Sequence, residues 1–298
     1  MDRTGWLIYT REDAEKNTWF IDKLKSECLK YGITLKLVYA DHLQNDGSDA
    51  ASSVDIMYKN CGIPSLAINR SRLSSVSYEL ESRGVRVFNP ASVTKTGNDK
   101  DLSYKLAASL NIPYMPYLTV NDDGYGDIGN TARDFGYPLV LKPADGHGGK
   151  HVFLINDEPE LMSSVSDIIN DPSHKPGRKL ILQRPCTLTG RDLRVYIVGN
   201  RIIAGMLRSS GPDNDFRANF SLGGTAALHT LTNAERLLTE KMIDALPSDF
   251  IGIDFIYDKD GNPIFNEIED AVGSRMLYKE TDIDIISLFA DHIHHTTD

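Results

Sequence analysis

A lysine followed by three closely spaced glycines is the part of this sequence best suited to chemistry on an anion. Lys142 ends an apolar run, and Gly146, Gly148 and Gly149 follow before the next apolar residues. Glycine lets the backbone approach an anion closely, so successive N–H groups can surround a phosphate. A lysine at a strand end adds a positive charge for the same phosphate. The segment alone equally suits a β-hairpin without a ligand, and both interpretations stay open.

Three carboxylates nearer the other end of the chain have the spacing of metal ligands. Asp254 lies in one apolar run, and Glu267 and Glu269 lie two apart in the next. A turn at residues 260–262 separates the runs, so a hairpin would bring the acids together on the face opposite the packed core. Carboxylates completed by water and phosphate suit Mg²⁺. Each acid taken alone also fits a solvated surface charge.

Further charged and amide side chains could contact a phosphate or an acyl group. Lys100 begins a predicted helix. Asp192 and Arg194 lie two apart in a predicted strand and therefore share one face, and Arg208 follows in the next strand. Asn219 lies in a loop that is rich in anion-binding groups and ends in a pair of glycines.

The composition excludes several other kinds of function. The chain has 298 residues and a formal net charge of −10, which disfavours non-specific nucleic-acid binding and leaves a cationic substrate or partner open. Its three cysteines are widely spaced and form no C-x-x-C pair, which argues against zinc and disulfides and favours a reduced cytoplasmic protein. No apolar run approaches the roughly 18 residues of a transmembrane helix, and the N-terminal apolar segment is too short for a signal peptide.

The N-terminal third predicts a small α/β domain. Strands at residues 6–10, 33–40, 65–68 and 85–88 alternate with helices, which indicates a parallel sheet. The polar residues 44–53 predict a surface loop.

The rest of the chain predicts a mixed architecture. Helices are expected from residue 100 to about 110, at 127–135 and at 158–170. From residue 180 onward the pattern is mostly β with hairpins, and one final helix covers about residues 282–295.

In their order along the chain, these groups resemble the ATP-grasp fold, and the branch they resemble most is the RimK-type group of ribosomal-protein-S6 glutamate ligases. The resemblance covers roughly residues 70–290. It implies a combined α/β and α+β fold. The implied units are an N-terminal parallel-sheet (pre-ATP-grasp) domain at 1–95, a central ATP-grasp subdomain with the glycine-rich lid at 96–185, and a C-terminal subdomain with the magnesium site at 186–298.

The resemblance also implies a role for each polar cluster. The residues implied to bind ATP are Lys100, Lys142, Gly146, Gly148, Gly149, Gln183, Arg184 and Asp192. The residues implied to hold two Mg²⁺ ions, for which Mn²⁺ could substitute, are Asp254, Glu267 and Glu269. The residues implied to act on the transferred phosphoryl and acyl groups are Arg194, Arg208 and Asn219.

Two segments depart from the family's usual pattern. Glu269 stands where an asparagine is usual, and the proline that normally follows is missing, which affects the local geometry of the metal site. Arg184 and Pro185 follow Gln183 where an acidic residue often follows the glutamine. The second departure affects adenine recognition more than catalysis.

The implied activity is that of an ATP-dependent, ADP-forming carboxylate–amine ligase that makes an amide bond through an acyl phosphate. Its expected partners are a small carboxylate and an amine-bearing amino acid or peptide, with no nucleic acid and no membrane, and a homo-oligomer follows from the resemblance only. Two alternatives stay open. One is a small-molecule kinase that stops at phosphorylation, and the other is a regulatory protein that binds ATP without turnover.

A few other polar residues have two interpretations each. Arg70, at the end of a predicted strand, could face a ligand cleft, because ligands gather at strand carboxyl ends. Arg275 suits either a substrate carboxylate or a surface ion pair. His147 could touch phosphate or be an ordinary loop residue. The histidines within residues 292–295 could bind a metal or belong to a polar tail.

Overall fold

The computed structural model describes residues 3–40, 50–149, 151–172, 174–186, 188–209 and 225–297. Asn219 lies outside these residues. The strands are β1 (Arg3–Tyr9), β2 (Ile33–Tyr39), β3 (Leu66–Asn69), β4 (Arg86–Phe88), β5 (Tyr117–Val120), β6 (Leu139–Pro143), β7 (Phe153–Ile155), β8 (Leu180–Gln183), β9 (Leu188–Val198), β10 (Arg201–Ser209), β11 (Thr225–His229), β12 (Phe250–Tyr257) and β13 (Pro263–Glu269). The α-helices are α1 (Arg11–Lys16), α2 (Thr18–Leu29), α3 (Ala50–Cys61), α4 (Ser74–Ser82), α5 (Ala91–Gly97), α6 (Lys100–Ser109), α7 (Ile128–Phe135), α8 (Glu158–Asn170), α9 (Asn233–Ala245), α10 (Arg275–Glu280) and α11 (Ile285–Thr297), with a 3-10 helix at Asp122–Asp127.

The first sheet is parallel throughout, with the strand order β2-β1-β3-β4. Its strands are apolar because helices cover both faces. Val54 of α3 and Leu80 of α4 are buried on one side. On the other side, Phe20 of α2 shares a core with Phe250 of β12 and Phe289 of α11. This shared core packs the first sheet against the C-terminal half of the chain.

The second sheet is antiparallel, with the order β5-β8-β6-β7. Ile128 of α7 and Leu161 of α8 pack on its apolar side chains, such as Leu182. Helix α8 begins where the Asp157 carboxylate accepts a hydrogen bond from the Glu160 N–H at 2.9 Å. The glycine-rich loop joins β6 to β7 at one end of this sheet.

The third sheet is also antiparallel, with the order β11-β10-β9-β12-β13. Val195 of β9 and Ile253 of β12 belong to a core on one face. The alternate positions point to the opposite face, where Tyr196 packs toward the first sheet. Arg194 and Asp254 point to that same face, so alternation along these strands turns charged groups away from the core.

Residues 44–49 of the predicted surface loop at 44–53 lie outside the described residues, and its end is wrong, because α3 begins at Ala50. Val54 and Met57 lie three residues apart on this helix, and both are buried against the first sheet. This spacing provides the apolar stripe that a surface helix needs.

The strands β8–β13 confirm that the described residues after 180 are mostly β, but the prediction omits α9 and α10. A capping box begins α9: the Thr232 hydroxyl accepts from the Glu235 N–H, and the Glu235 carboxylate accepts from the Thr232 N–H. Met242 and Ile243 of this helix are buried in the core of the third sheet. Helix α5 and strand β11 were likewise not predicted.

One parallel and two antiparallel sheets with covering helices confirm the predicted combination of α/β and α+β architecture. The sheets draw on residues 3–88, 117–183 and 188–269, and the domain limits at residues 95 and 185 stay predictions. No helix in the described ranges is both long enough and apolar enough to cross a lipid bilayer.

Candidate active site

The predicted site residues meet around one cavity of about 350 Å³ between the second and third sheets, here called the lysine cavity. The residues predicted above that line it are Lys100, Lys142, Gly146, Gly148, Gly149, Gln183, Arg184, Asp192, Arg194, Arg208, Glu267 and Glu269. Asp254 is buried behind this wall and contacts two of its arginines. Asn219 stays a prediction, because it lies outside the described residues.

Lys142, near the end of β6, is a buried cation held by neutral groups. Its ammonium donates to the Tyr104 hydroxyl at 3.0 Å, and the Gln183 amide donates to the same oxygen at 3.0 Å. Among the described residues, no carboxylate lies within 4.0 Å of Lys142. Burial lowers the pKa of Lys142 to about 8, although the charge of Glu267 opposes the shift. An anion entering the cavity would supply the missing countercharge.

Lys100 and the glycine-rich loop form the adjoining wall. Asp99 caps α6 by accepting from the Asp101 N–H at 2.9 Å, which places Lys100 in the first turn. The Lys100 ammonium donates to the Gly146 carbonyl at 2.5 Å and lies 3.1 Å from a Glu267 oxygen. Gly148 has a φ of 67°, a left-handed conformation that favours glycine. The loop is thus tied to α6 at its base.

Arg184 lines the lysine cavity, but its side chain is used in packing. The guanidinium donates to the carbonyls of Phe135 and Gly136 and lies 4.5 Å from the centre of the Phe135 ring. The Arg184 backbone N–H donates to the Pro116 carbonyl at 2.9 Å. Any contact from this segment to a base would therefore come from groups other than that N–H.

Four charged side chains of the third sheet form a paired network at the opposite wall. Asp254 lies opposite Arg194 between β12 and β9, and Arg208 lies opposite Asp192 between β10 and β9. Arg194 donates to both Asp254 oxygens, at 2.8 and 2.6 Å. Arg208 donates to Asp254 at 2.6 Å and to both oxygens of Asp192. Arg194 also lies 2.8 Å from Glu269.

Burial and pairing set the protonation of this network. Burial would raise the pKa of Asp254, but the Arg194 and Arg208 guanidiniums outweigh it and lower that pKa to about 2. Burial raises the pKa of Asp192 despite Arg208 beside it, because the negative charge of Asp254 adds to the effect. Asp254 is therefore a permanent anion between two permanent cations.

Of the three carboxylates predicted to bind magnesium, two are accessible in the structure. Glu267 and Glu269 both line the lysine cavity, and carboxylate oxygens are suitable Mg²⁺ ligands. Asp254 lies opposite Glu267 in the β12–β13 ladder, as the predicted hairpin requires, but both of its oxygens accept from arginines. Across the described ranges, no three acidic, histidine or cysteine side chains form a ready-made metal site. The two glutamates are thus the accessible candidate ligands.

A second cavity, of about 460 Å³, adjoins the first and is here called the arginine cavity. It reaches the first sheet, where Arg70 and Arg72 line it, and the start of α10, where Arg275 lines it. Four residues line both cavities: Gly148, Arg194, Arg208 and Glu269. A molecule in one cavity can therefore meet a molecule in the other at this junction.

Sequence reasoning missed Tyr104, since a tyrosine within a helix carries no signal of a phosphate site.

His147 lines the arginine cavity, and its pKa is well below the usual value because of burial and of nearby arginines and lysine. Near the C-terminus, His292 lies 2.7 Å from Asp249, and the His294 ring stacks on Tyr31. In the part of the chain that the structure describes, these histidines form no metal site.

Known proteins resemble this chain in sequence. Beta-citrylglutamate synthase B of Danio rerio is 30% identical over 220 residues, which cover 74% of this chain and 53% of that protein. N-acetylaspartylglutamate synthase A of Homo sapiens is 30% identical over 234 residues, which cover 77% of this chain and 58% of that protein. The chain therefore spans about half the length of these relatives.

The fold also resembles that of D-alanine–D-alanine ligase from Bacillus anthracis, solved with ATP. The TM-score is 0.72 at 16% identity, and the match covers 99% of this chain and 97% of that one. At this identity the likeness concerns the fold alone. A profile of RimK-like ATP-grasp domains matches residues 97–293, more than half of the sequence, and the chain therefore belongs to the RimK-like ATP-grasp family.

Proposed function

We propose that this protein is an ADP-forming carboxylate–amine ligase that uses ATP to join an acid to an amino acid or peptide. The junction of the two cavities at Gly148, Arg194, Arg208 and Glu269 is the observation that carries the proposal. It provides one place for a nucleotide, another for an acid and an amine, and a charged boundary between them.

ATP would lie in the lysine cavity with its phosphates toward the lysines. Lys142 is mostly protonated at neutral pH with a pKa of about 8, and no carboxylate of the described residues pairs with its charge. Lys100 and the backbone at Gly148 would contact the same phosphates. The adenine would lie toward residues 183–186, which also line the cavity.

In the first step, an oxygen of the acid attacks the γ-phosphorus of ATP. The bond from that phosphorus to the bridging oxygen breaks, which gives an acyl phosphate and ADP. Arg194 and Arg208, at the junction, would offset the charge on the transferred phosphoryl oxygens. Both arginines are held by carboxylates before any ligand binds, so little reorganisation is needed.

In the second step, the amine nitrogen attacks the acyl carbon, and the bond from that carbon to the phosphate oxygen breaks. Phosphate leaves, and the nitrogen loses its extra proton to the phosphate or to water. Arg208 would stabilise the oxyanion that forms on the acyl oxygen. The loop at residues 146–149 would limit access of water, which otherwise hydrolyses the acyl phosphate.

Magnesium would be held by Glu267 and Glu269, and we propose two ions, as the family resemblance implies, with Mn²⁺ as a substitute. When bound, the metal neutralises phosphate charge and orients the phosphates. Asp254 would join the ligand set only after releasing an arginine contact. A cytoplasmic location and a homo-oligomer stay predictions.

Release of ADP measured with and without each co-substrate tests the proposal. The assay uses ATP, Mg²⁺, a panel of acids, and L-glutamate as the amine, since the two relatives are named for synthesis of glutamate conjugates. We expect ADP and an amide product only when both co-substrates are present. A stable phosphorylated acid as the end product would instead indicate a kinase, and ADP at background level with every acid would indicate a binding protein.

A further inference from the structure

Arg70 is a buried cation that the proposed chemistry does not use. It follows β3, and only 6% of its surface is exposed. Its guanidinium donates to the Tyr9 hydroxyl and to the Val272 carbonyl, each at 2.8 Å, and lies 4.2 Å from the centre of the Phe20 ring. These contacts fix the orientation of the guanidinium at the wall of the arginine cavity.

The charge of Arg70 has no carboxylate partner within 4.0 Å among the described residues. Arg72, which lines the same cavity, lies 2.6 Å from Asp13. Asp270 also lines the cavity, but its two oxygens accept from Asn89 at 2.7 Å and Asn98 at 3.1 Å. Buried charges are normally paired, because desolvation of an isolated ion is costly. Aromatic contact compensates such a charge only in part.

The arginine cavity as a whole favours an anion with more than one charge. Five of the described residues that line it are arginines. Arg72, Arg194 and Arg208 contact carboxylates, whereas Arg70 and Arg275 have no carboxylate within 4.0 Å among the described residues. Ser274 also lines it, and the Ser274 hydroxyl is buried without a hydrogen-bond partner in the described structure. These groups are available to a ligand that carries several oxygens.

We propose that the arginine cavity binds an acid with at least two carboxylates, of which one reacts at the junction and the other binds Arg70. This inference rests on the proposed function. The acid must reach the phosphate before the amine reacts, so it occupies the end of the cavity at Arg194 and Arg208. Arg70 lies outside residues 97–293 of the family match, so the N-terminal sheet supplies the residue that selects the second carboxylate.

Matched acids test this assignment in the first half-reaction. Succinate, glutarate and N-acetyl-L-aspartate are each compared with the analogue in which one carboxylate is a carboxamide. Hydroxylamine replaces the amine, so the product is a hydroxamate and the amine co-substrate plays no part. For the wild-type protein we expect kcat/KM to favour at least one diacid by about 100-fold, as for a buried charge pair that loses one partner.

The variant Arg70→Gln should lose most of that preference through a fall in kcat/KM for the diacid, with little change for the monoamide. Arg70→Lys should retain part of the preference for the diacid, because lysine keeps the positive charge. Arg86→Gln is the matched control, because Arg86 also packs on a phenylalanine, at 4.2 Å, but lines neither cavity. A merely structural role for Arg70 would lower kcat/KM for both acids equally, and that result would overturn the assignment.

A binding measurement keeps the assignment testable if turnover is absent. Calorimetric titration of the same acids into wild-type protein and Arg70→Gln reports carboxylate recognition without ATP chemistry. Diacid binding that depends on Arg70, with no hydroxamate from any acid, would refute the proposed function and leave the second carboxylate site standing. Wild-type protein that neither binds nor activates any diacid, or an Arg70 effect seen only with the amine present, would overturn the inference.

Discussion

The two walls of the lysine cavity hold their buried charges in different ways. On the third sheet, Asp254 binds Arg194 and Arg208, and every member of that network has a partner of opposite charge. On the second sheet, the one side-chain hydrogen bond of Lys142 within the described residues goes to the Tyr104 hydroxyl, a neutral group. The first wall is complete without a ligand, whereas the second has a cation with no carboxylate partner among the residues that the structure describes.

This difference predicts opposite consequences of mutation. Removing one member of a buried ion pair leaves the other uncompensated, so both stability and function fall. Removing an unpaired buried cation relieves a desolvation penalty, so the fold gains stability while the ligand loses its partner. Measurements of stability alongside activity can therefore distinguish the two walls.

The largest effect is expected from Asp254→Asn, which leaves the two arginines short of one negative charge. We expect the free energy of unfolding to fall by about 3 kcal/mol and turnover to be lost. Denaturant unfolding and ADP release measure the two effects. Asp260→Asn is the control, since its partner Lys259 is 75% exposed and the pair should contribute little. Equal unfolding midpoints for Asp254→Asn and the wild type would contradict the paired-wall interpretation.

The second largest effect is expected from Lys142→Met, which should weaken ATP binding but raise the stability of the ligand-free protein. We expect the Kd for ATP to rise about 100-fold, because a buried charge contact to phosphate is lost. Stability without ATP should rise by about 2 kcal/mol at neutral pH. Lys100→Met is the matched comparison. It also weakens ATP binding but should lower stability, because Glu267 loses its partner at 3.1 Å. Lower stability of Lys142→Met would show that Lys142 is paired after all.

Much of the paired wall could be predicted from the sequence, because it follows from period-two alternation and a hairpin turn. Asp192 and Arg194 share a strand face, and Asp254 lies opposite Glu267, as the turn at residues 260–262 requires. The pairing of Arg194 with Asp254 could not be predicted. It joins β9 to β12, which lie far apart in the chain, and no local pattern encodes that neighbour relation.

The same limit applies to the fold and to the unpaired wall. Alternating helices and strands predicted the parallel first sheet, whose order is nevertheless set by long-range packing. Helix α9 carried a capping-box signal at Thr232 and Glu235 that the mainly β interpretation overlooked. Tyr104 and Lys142 are 38 residues apart and on different elements. Their contact depends on how α6 packs beside the second sheet, which the sequence does not state.

A smaller effect is the pH dependence of the free energy of unfolding, whose sign follows from the lowered pKa of Lys142. Its pKa falls from 10.5 in the unfolded chain to about 8 in the folded protein, so between these values the unfolded state binds more protons. Stability of the wild type should therefore rise with pH across that window. The stability advantage of Lys142→Met should shrink by about 1 kcal/mol between pH 7 and pH 9. Urea unfolding of both proteins at pH 7, 8 and 9 gives the difference, and a constant gap would contradict the lowered pKa.

The smallest effect is expected from Tyr104→Phe, which removes the oxygen that accepts from both Lys142 and Gln183. We expect the Kd for ATP to rise about fivefold, which corresponds to about 1 kcal/mol, the net contribution of a typical hydrogen bond, with kcat unchanged at saturating ATP. Tyr114→Phe is the control, because that ring stacks 6.0 Å from Tyr104 without joining the Lys142 contact.

A double-mutant cycle decides whether this hydroxyl acts through Lys142. If it positions the ammonium for phosphate, adding Tyr104→Phe to Lys142→Met should leave the Kd for ATP unchanged. A full fivefold loss that persists in the Lys142→Met background would mean that the hydroxyl acts instead through Gln183, the other donor to the same oxygen. The unpaired wall would then depend on two independent contacts rather than on one oriented cation.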